Sequence, residues 1–158
     1  GAPRPGGRYA GEYGISLSHS ADRVVVVVTR GATAVGVDVE LVRGRLAGMA
    51  RVLGSAREVA ADLDADRPDL ALTTRWVRKE AILKAAGPGL RVALPDLEIS
   101  DHDEPAYVRR WHPRSCPPEA RAGIRCLDLG THELGTGYAG ALAVLTPLPV
   151  DVAAAVFA

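Results

Sequence analysis

Residues 75–87, Arg-Trp-Val-Arg-Lys-Glu-Ala-Ile-Leu-Lys-Ala-Ala-Gly, place the tightest limit on how this chain folds. Ala, Leu, Arg, Lys and Glu are strong helix formers and Gly87-Pro88 is a stop signal, so the stretch predicts the second half of a helix from about Leu70 to Ala86. Trp76, Lys79, Glu80, Leu83, Lys84 and Gly87 recur at spacings of three and four and share one face. That face is not a plain core stripe, because Glu80 and Lys84 sit on it beside Trp76. The spacing admits two readings: a solvated i,i+4 ion pair contributing about 0.2–0.5 kcal/mol, or the acid and base of a site. Of nineteen basic residues only two, Lys79 and Lys84, are lysines, and both lie on this helix.

The segment Val35-Gly36-Val37-Asp38-Val39-Glu40 adds a second constraint. In a strand over 34–41 its valines point one way, while Gly36, Asp38 and Glu40 point the other. Two unpaired carboxylates on one face repel each other, and each loses solvation if partly buried. A divalent cation removes both problems. Hard oxygen donors suit Mg²⁺, which takes a few carboxylates with phosphate oxygens and water, and Mn²⁺ accepts the same donors. Glu80, arriving from the helix, is the natural third carboxylate. The other reading is a polar sheet face carrying acids, and spacing alone leaves both open.

Along the rest of the chain, 13–18 reads as a strand running into Ser18-His19-Ser20. Residues 23–29 form a β-branched strand of the kind covered on both faces. A short helix is expected over 43–53, and Ser55-Ala56-Arg57-Glu58 is a capping box opening another helix to about Asp64. The loop 66–69 precedes the long helix. Short strands are expected over 91–94, 97–100, 107–112, 124–129 and 138–146, with 114–123 irregular. Strands outnumber helices and the helices cluster, which predicts an α+β domain with an antiparallel sheet and one long packed helix. The domain spans 13–146. Residues 1–12, rich in Pro and Gly, read as a linker or truncated edge, and 147–158 as a tail.

Composition removes several function classes. With 158 residues, 47% apolar and 24% charged, the chain suits one soluble domain. A formal net charge of zero argues against a large nonspecific nucleic-acid surface. The valine run 24–28 is too short to span a membrane and no signal pattern opens the chain, so a cytoplasmic location is expected. Cys116 and Cys126 lack metal-ligand spacing; a reducing compartment is the default reading and a single disulfide the alternative. No phosphate-loop or G-x-S-x-G pattern occurs, which weakens a Ser18-His19 hydrolase reading. His19 remains either a surface histidine or, beside Ser18 and Ser20, a phosphate donor. His102, His112 and His132 form no metal pattern.

Ser16-Leu17-Ser18-His19-Ser20, then residues 35–40, then the Trp76–Gly87 segment with Gly89-Leu90 after it, together resemble the 4'-phosphopantetheinyl transferases. In order and spacing they resemble the larger, surfactin-type class, over about 13–145. The resemblance implies transfer of 4'-phosphopantetheine from coenzyme A to a serine hydroxyl of an acyl or peptidyl carrier protein, with 3',5'-adenosine bisphosphate released. It implies Asp38, Glu40 and Glu80 as Mg²⁺ ligands and Glu80 as the base for the carrier serine. It implies Lys84 and Lys79 as diphosphate-facing lysines, and Ser18 and His19 near the adenosine bisphosphate, His19 on its 3'-phosphate. The larger class has two similar halves, and this chain corresponds mostly to the second. Ala2 stands where the family's Gly-Lys-Pro segment has its lysine. The chain is therefore expected to be a domain similar to the integrated transferases of iterative polyketide synthases, in antibiotic biosynthesis. It would associate with a missing N-terminal half or with itself as a homotrimer. Two alternatives stand beside this: a degenerate domain that binds coenzyme A or carrier without turnover, and a Mg²⁺-dependent phosphohydrolase using the same acids.

Overall fold

The computed structural model describes residues 12–31, 34–87 and 92–156. Strands β1 (Tyr13–Ser20) and β2 (Arg23–Arg30) form an antiparallel hairpin closed by Ala21-Asp22. So short a turn forces Ala21 to φ 51°, a left-handed conformation that a Cβ disfavours. Contacts at the tip hold it there. The Tyr138 hydroxyl donates to the Asp22 carboxylate, and Arg23 Nε donates to the Leu134 carbonyl at 2.9 Å. β2 is not covered on both faces. Val25 and Val27 are half-buried, while Val24, Val26 and Val28 are 68%, 54% and 57% exposed. A ribbon of two strands has one face to pack and leaves the other open.

β3 (Val35–Leu41) follows and is the first strand of the main sheet. A 3-10 turn (Gly44–Met49) and the single-turn helix α1 (Ala50–Leu53) replace the one helix expected over 43–53. The capping box at Ser55 and Glu58 then opens helix α2 (Ala56–Leu63). Helix α3 (Pro68–Ala86) starts two residues before the expected Leu70, because proline fits the first helical turn without losing a hydrogen bond. Gly87, at φ 85°, ends it as a left-handed cap, its N–H donating to the Leu83 carbonyl. The strand expected over 91–94 falls partly outside the described residues. Its described end enters a 3-10 turn (Leu94–Asp96) containing Pro95, which has no N–H to give a ladder.

The chain continues through β4 (Leu97–Ile99), β5 (Val108–Trp111), β6 (Arg125–Leu129), the short helix α4 (Thr131–Leu134) and β7 (Tyr138–Val144). The main sheet is antiparallel in the order β3-β7-β6, and β4 pairs antiparallel with β5. One face of the main sheet carries α3. Small residues permit the close approach: Gly36 on β3, and Ala139, Ala141 and Ala143 in the same core cluster as Ala81 and Ala85. A Cβ on Gly36 would overlap the Ala81 carbonyl oxygen and lie 2.6 Å from Ala85 N. Leu53, Leu72, Val77, Ile82 and Leu97 complete this core, all fully buried. The second cluster, Val35, Val37, Leu142 and Val144, is covered by Val25 and Val27 of the hairpin. The architecture is α+β. Among the described residues no helix is long and apolar enough to cross a membrane.

Candidate active site

The crossing at Gly36 brings the Glu80 turn of α3 over the acidic end of β3. Asp38 and Glu80 are buried, at 6% and 9% exposure. Lys84, one turn after Glu80, donates from Nζ to Asp38 Oδ1 at 2.7 Å and to the Val37 carbonyl at 2.9 Å. Ser18 Oγ donates to the same Asp38 Oδ1 at 2.8 Å, and Ser20 Oγ donates to Glu40 Oε2 at 2.9 Å. The far oxygens are different. Asp38 Oδ2 and Glu80 Oε1 are buried with no hydrogen-bond partner among the described residues. Burial pushes the Asp38 carboxyl above its ordinary range despite Lys84 and Ser18. Burial does the same to Glu80, with added repulsion from Asp38 and Glu40. Two buried acids that each keep an unpartnered oxygen are costly in their charged forms unless further positive charge is brought to them.

Among the described residues no three His, Cys, Asp or Glu side chains form a ready-made metal cluster. The donor chemistry nevertheless fits a hard cation. The orphan oxygens belong to carboxylates on neighbouring elements, and Mg²⁺ commonly takes one or two carboxylates and completes its shell with water and phosphate. Asp38 and Glu80, with Glu40 beside them on β3, are the residues that would hold it.

Lys79 lies elsewhere. It is fully buried, and its Nζ donates to Glu58 Oε2 at 2.8 Å and to the Leu94 carbonyl at 2.9 Å. Burial brings its ammonium down to about 8 against the pull of Glu58. One residue along a helix is a turn of about 100°, which carries Lys79 from the Glu80 face into the core beneath α2. Glu58 is the hub there. It also accepts from Arg75 Nη1 at 2.8 Å, Ile99 N at 2.9 Å and Ser55 N at 2.8 Å. Arg75 in turn pairs with buried Asp62, donating from Nη2 at 2.8 Å. The capping box reveals Glu58 in the sequence, but only as a helix cap. Arg78, also buried, holds the loop after β4 through the carbonyls of Asp101 and Glu104 and through Asp128.

Ser18 and His19 are separated by the pleat. Ser18 faces β3 and is buried, whereas His19 points outward with Leu17 and is exposed. Two shallow grooves of about 380 and 300 Å³ flank β6 and the tail, and neither is lined by Asp38, Glu40, Glu80 or Lys84.

A solved structure described as a Chronobacterium ammoniagenes ACPS-CoA complex superposes with a TM-score of 0.53 at 17% identity, covering 71% of this chain and 95% of that one. At that identity the likeness is one of fold. No curated protein matches the sequence. A sequence model of the family described as ACPS, 4'-phosphopantetheinyl transferase superfamily, matches residues 34–137, more than half of the chain and the whole span from β3 to the start of β7. The chain belongs to the 4'-phosphopantetheinyl transferase superfamily.

Proposed function

We propose that this chain transfers 4'-phosphopantetheine from coenzyme A to a serine hydroxyl of an acyl or peptidyl carrier protein, with Mg²⁺ or Mn²⁺, releasing 3',5'-adenosine bisphosphate. The observation that carries the reading is the pair of orphan carboxylate oxygens, Asp38 Oδ2 and Glu80 Oε1, beside the Lys84 ammonium. A bound divalent cation would supply positive charge to the diphosphate oxygens of the donor. Asp38, Glu40 and Glu80 are the proposed ligands. Lys84, whose side chain is 31% exposed, offers an ammonium to the leaving diphosphate while still anchored to Asp38. Glu80 is the proposed acceptor of the carrier serine's proton. Ser18, His19 and Lys79 belong to the proposed coenzyme A site only by family pattern. Lys79 would have to leave Glu58 to reach a phosphate.

The surfactin-type assignment and an origin in a polyketide synthase rest on motif order alone. The partner proposal rests on the open outer face of the hairpin, where Leu17, Val24, Val26 and Val28 stand exposed beside His19. A second copy of this chain packed there, as in a homotrimer, would place His19 at the boundary between subunits. Sedimentation showing only monomer at assay concentration would remove that proposal. A cytoplasmic location is proposed from the two free cysteines, Cys116 and Cys126.

The test is release of 3',5'-adenosine bisphosphate from coenzyme A. Release that requires both apo carrier protein and Mg²⁺ supports transfer. Release without carrier makes the protein a phosphohydrolase. Coenzyme A binding without release makes it a binding domain, a reading favoured by the burial of Lys79 away from the site.

A further inference from the structure

β1 meets the free edge of β3 through side chains rather than backbone. Ser16, Ser18 and Ser20 Oγ accept the N–H groups of Val37, Val39 and Leu41 at 3.0, 3.3 and 3.1 Å. The sequence offset is 21 each time, so the two strands run in step. A hydroxyl has one proton and two lone pairs. With a lone pair given to β3, the proton of Ser18 goes to Asp38 Oδ1 at 2.8 Å and that of Ser20 to Glu40 Oε2 at 2.9 Å. The matching position for Ser16 is Gly36, which has no carboxylate.

We infer that Ser18 and Ser20 are positioning residues, which fix the carboxylates of Asp38 and Glu40 in the orientations from which they would bind a divalent cation. This rests on the cation site proposed above. A hydrogen bond to one carboxylate oxygen selects a rotamer and leaves the second oxygen aimed. At Asp38 that second oxygen, Oδ2, is the one left buried without a partner. Outer hydrogen bonds of this kind hold ligands ready before the cation arrives, and losing one typically weakens metal affinity about 10–100-fold. The serines therefore do two separable things. All three hold the hairpin to β3, and two of them also set the ligands.

Ser16 makes the separation measurable, because Ser16→Ala removes a β3 contact and no ligand contact. The experiment is Mn²⁺ binding to the purified protein, read by electron paramagnetic resonance of free Mn²⁺, with melting temperature measured in parallel. Ser16→Ala and Ser18→Ala should lower the melting temperature by similar amounts. Of these two, only Ser18→Ala should weaken Mn²⁺ binding, by about tenfold or more. Ser20→Ala, at the half-buried end of the ladder, should weaken it in the same sense and serves where Ser18→Ala does not fold. Equal Mn²⁺ affinity in the Ser16 variant and in both ligand-facing variants would overturn the inference while leaving the cation site intact. A wild-type protein that binds Mn²⁺ no better than Asp38→Asn would overturn the cation site itself, and the inference with it.

Discussion

Helix α3 carries two buried charged clusters, and they are finished differently. In the one beneath α2, Glu58 spends both carboxylate oxygens on four donors, and Lys79, Arg75 and Asp62 are all paired. In the one over β3, Asp38 and Glu80 each keep an oxygen with no partner among the described residues, and the Lys84 ammonium is partly exposed. Both clusters pay for removing charge from water. Among the described residues only the first is compensated, so the first reads as structure and the second is the proposed site for cation and phosphate.

The largest expected effect falls on the saturated cluster. Glu58→Ala leaves Lys79 buried without its carboxylate and strips Arg75 of one of its two buried carboxylate partners, and breaking a buried pair in this way costs about 3–5 kcal/mol. Urea denaturation should show a loss of that order, or no folded protein. A loss below about 1 kcal/mol would mean that the cluster is not what holds α2 to α3. Glu80→Gln should do the reverse. It removes a charge that Asp38 repels and that has an unpartnered oxygen, so the midpoint in urea should stay the same or rise. Transfer should fall by about 10²–10⁴-fold, the range for losing a general base. Full activity in that variant would take Glu80 out of the mechanism.

The two clusters should also respond to pH with opposite signs. Asp38 and Glu80 have folded-state values raised by burial, so the folded protein holds more protons than the unfolded chain just above the ordinary carboxylate range. Their contribution to stability is fully present below that range and is lost as pH rises through the raised values. Lys79 is depressed from 10.5 to about 8, so its contribution is present above 10.5 and is lost as pH falls to about 8. Denaturation midpoints measured across pH should show the first slope flattened in Glu80→Gln and the second removed in Lys79→Met. The same slope in wild type and variant would contradict the assignment.

Much of this was legible in the sequence, for reasons visible in particular residues. Alternation marked β1 and β3, the capping box marked α2, and Gly87 marked the end of α3. Asp38, Glu40, Glu80 and Lys84 could be grouped because strand and helix periods each put them on one face. Lys79 could not be placed, because its partner Glu58 is 21 residues away and nothing local points to it. The open face of β2 was hidden because a run of five valines carries no alternation. The serine ladder was hidden because its bonds run from side chain to the backbone of another strand, leaving no trace in periodicity.

The smallest expected effect is at His19. It is exposed on the outer hairpin face, so His19→Ala should change stability by less than about 0.5 kcal/mol. If it meets a 3'-phosphate across a subunit boundary, the variant should lose affinity for coenzyme A but not for 3'-dephospho-coenzyme A. Equal losses for the two would place His19 away from that phosphate.

The central claim is that the unsaturated cluster, and not the saturated one, performs phosphopantetheinyl transfer. Intact mass spectrometry of an apo carrier protein incubated with this chain, coenzyme A and Mg²⁺ tests it most directly. A serine-linked phosphopantetheine adduct that is prevented by EDTA and absent with Glu80→Gln is the predicted result. An adduct that forms equally well in EDTA or with Glu80→Gln would contradict it.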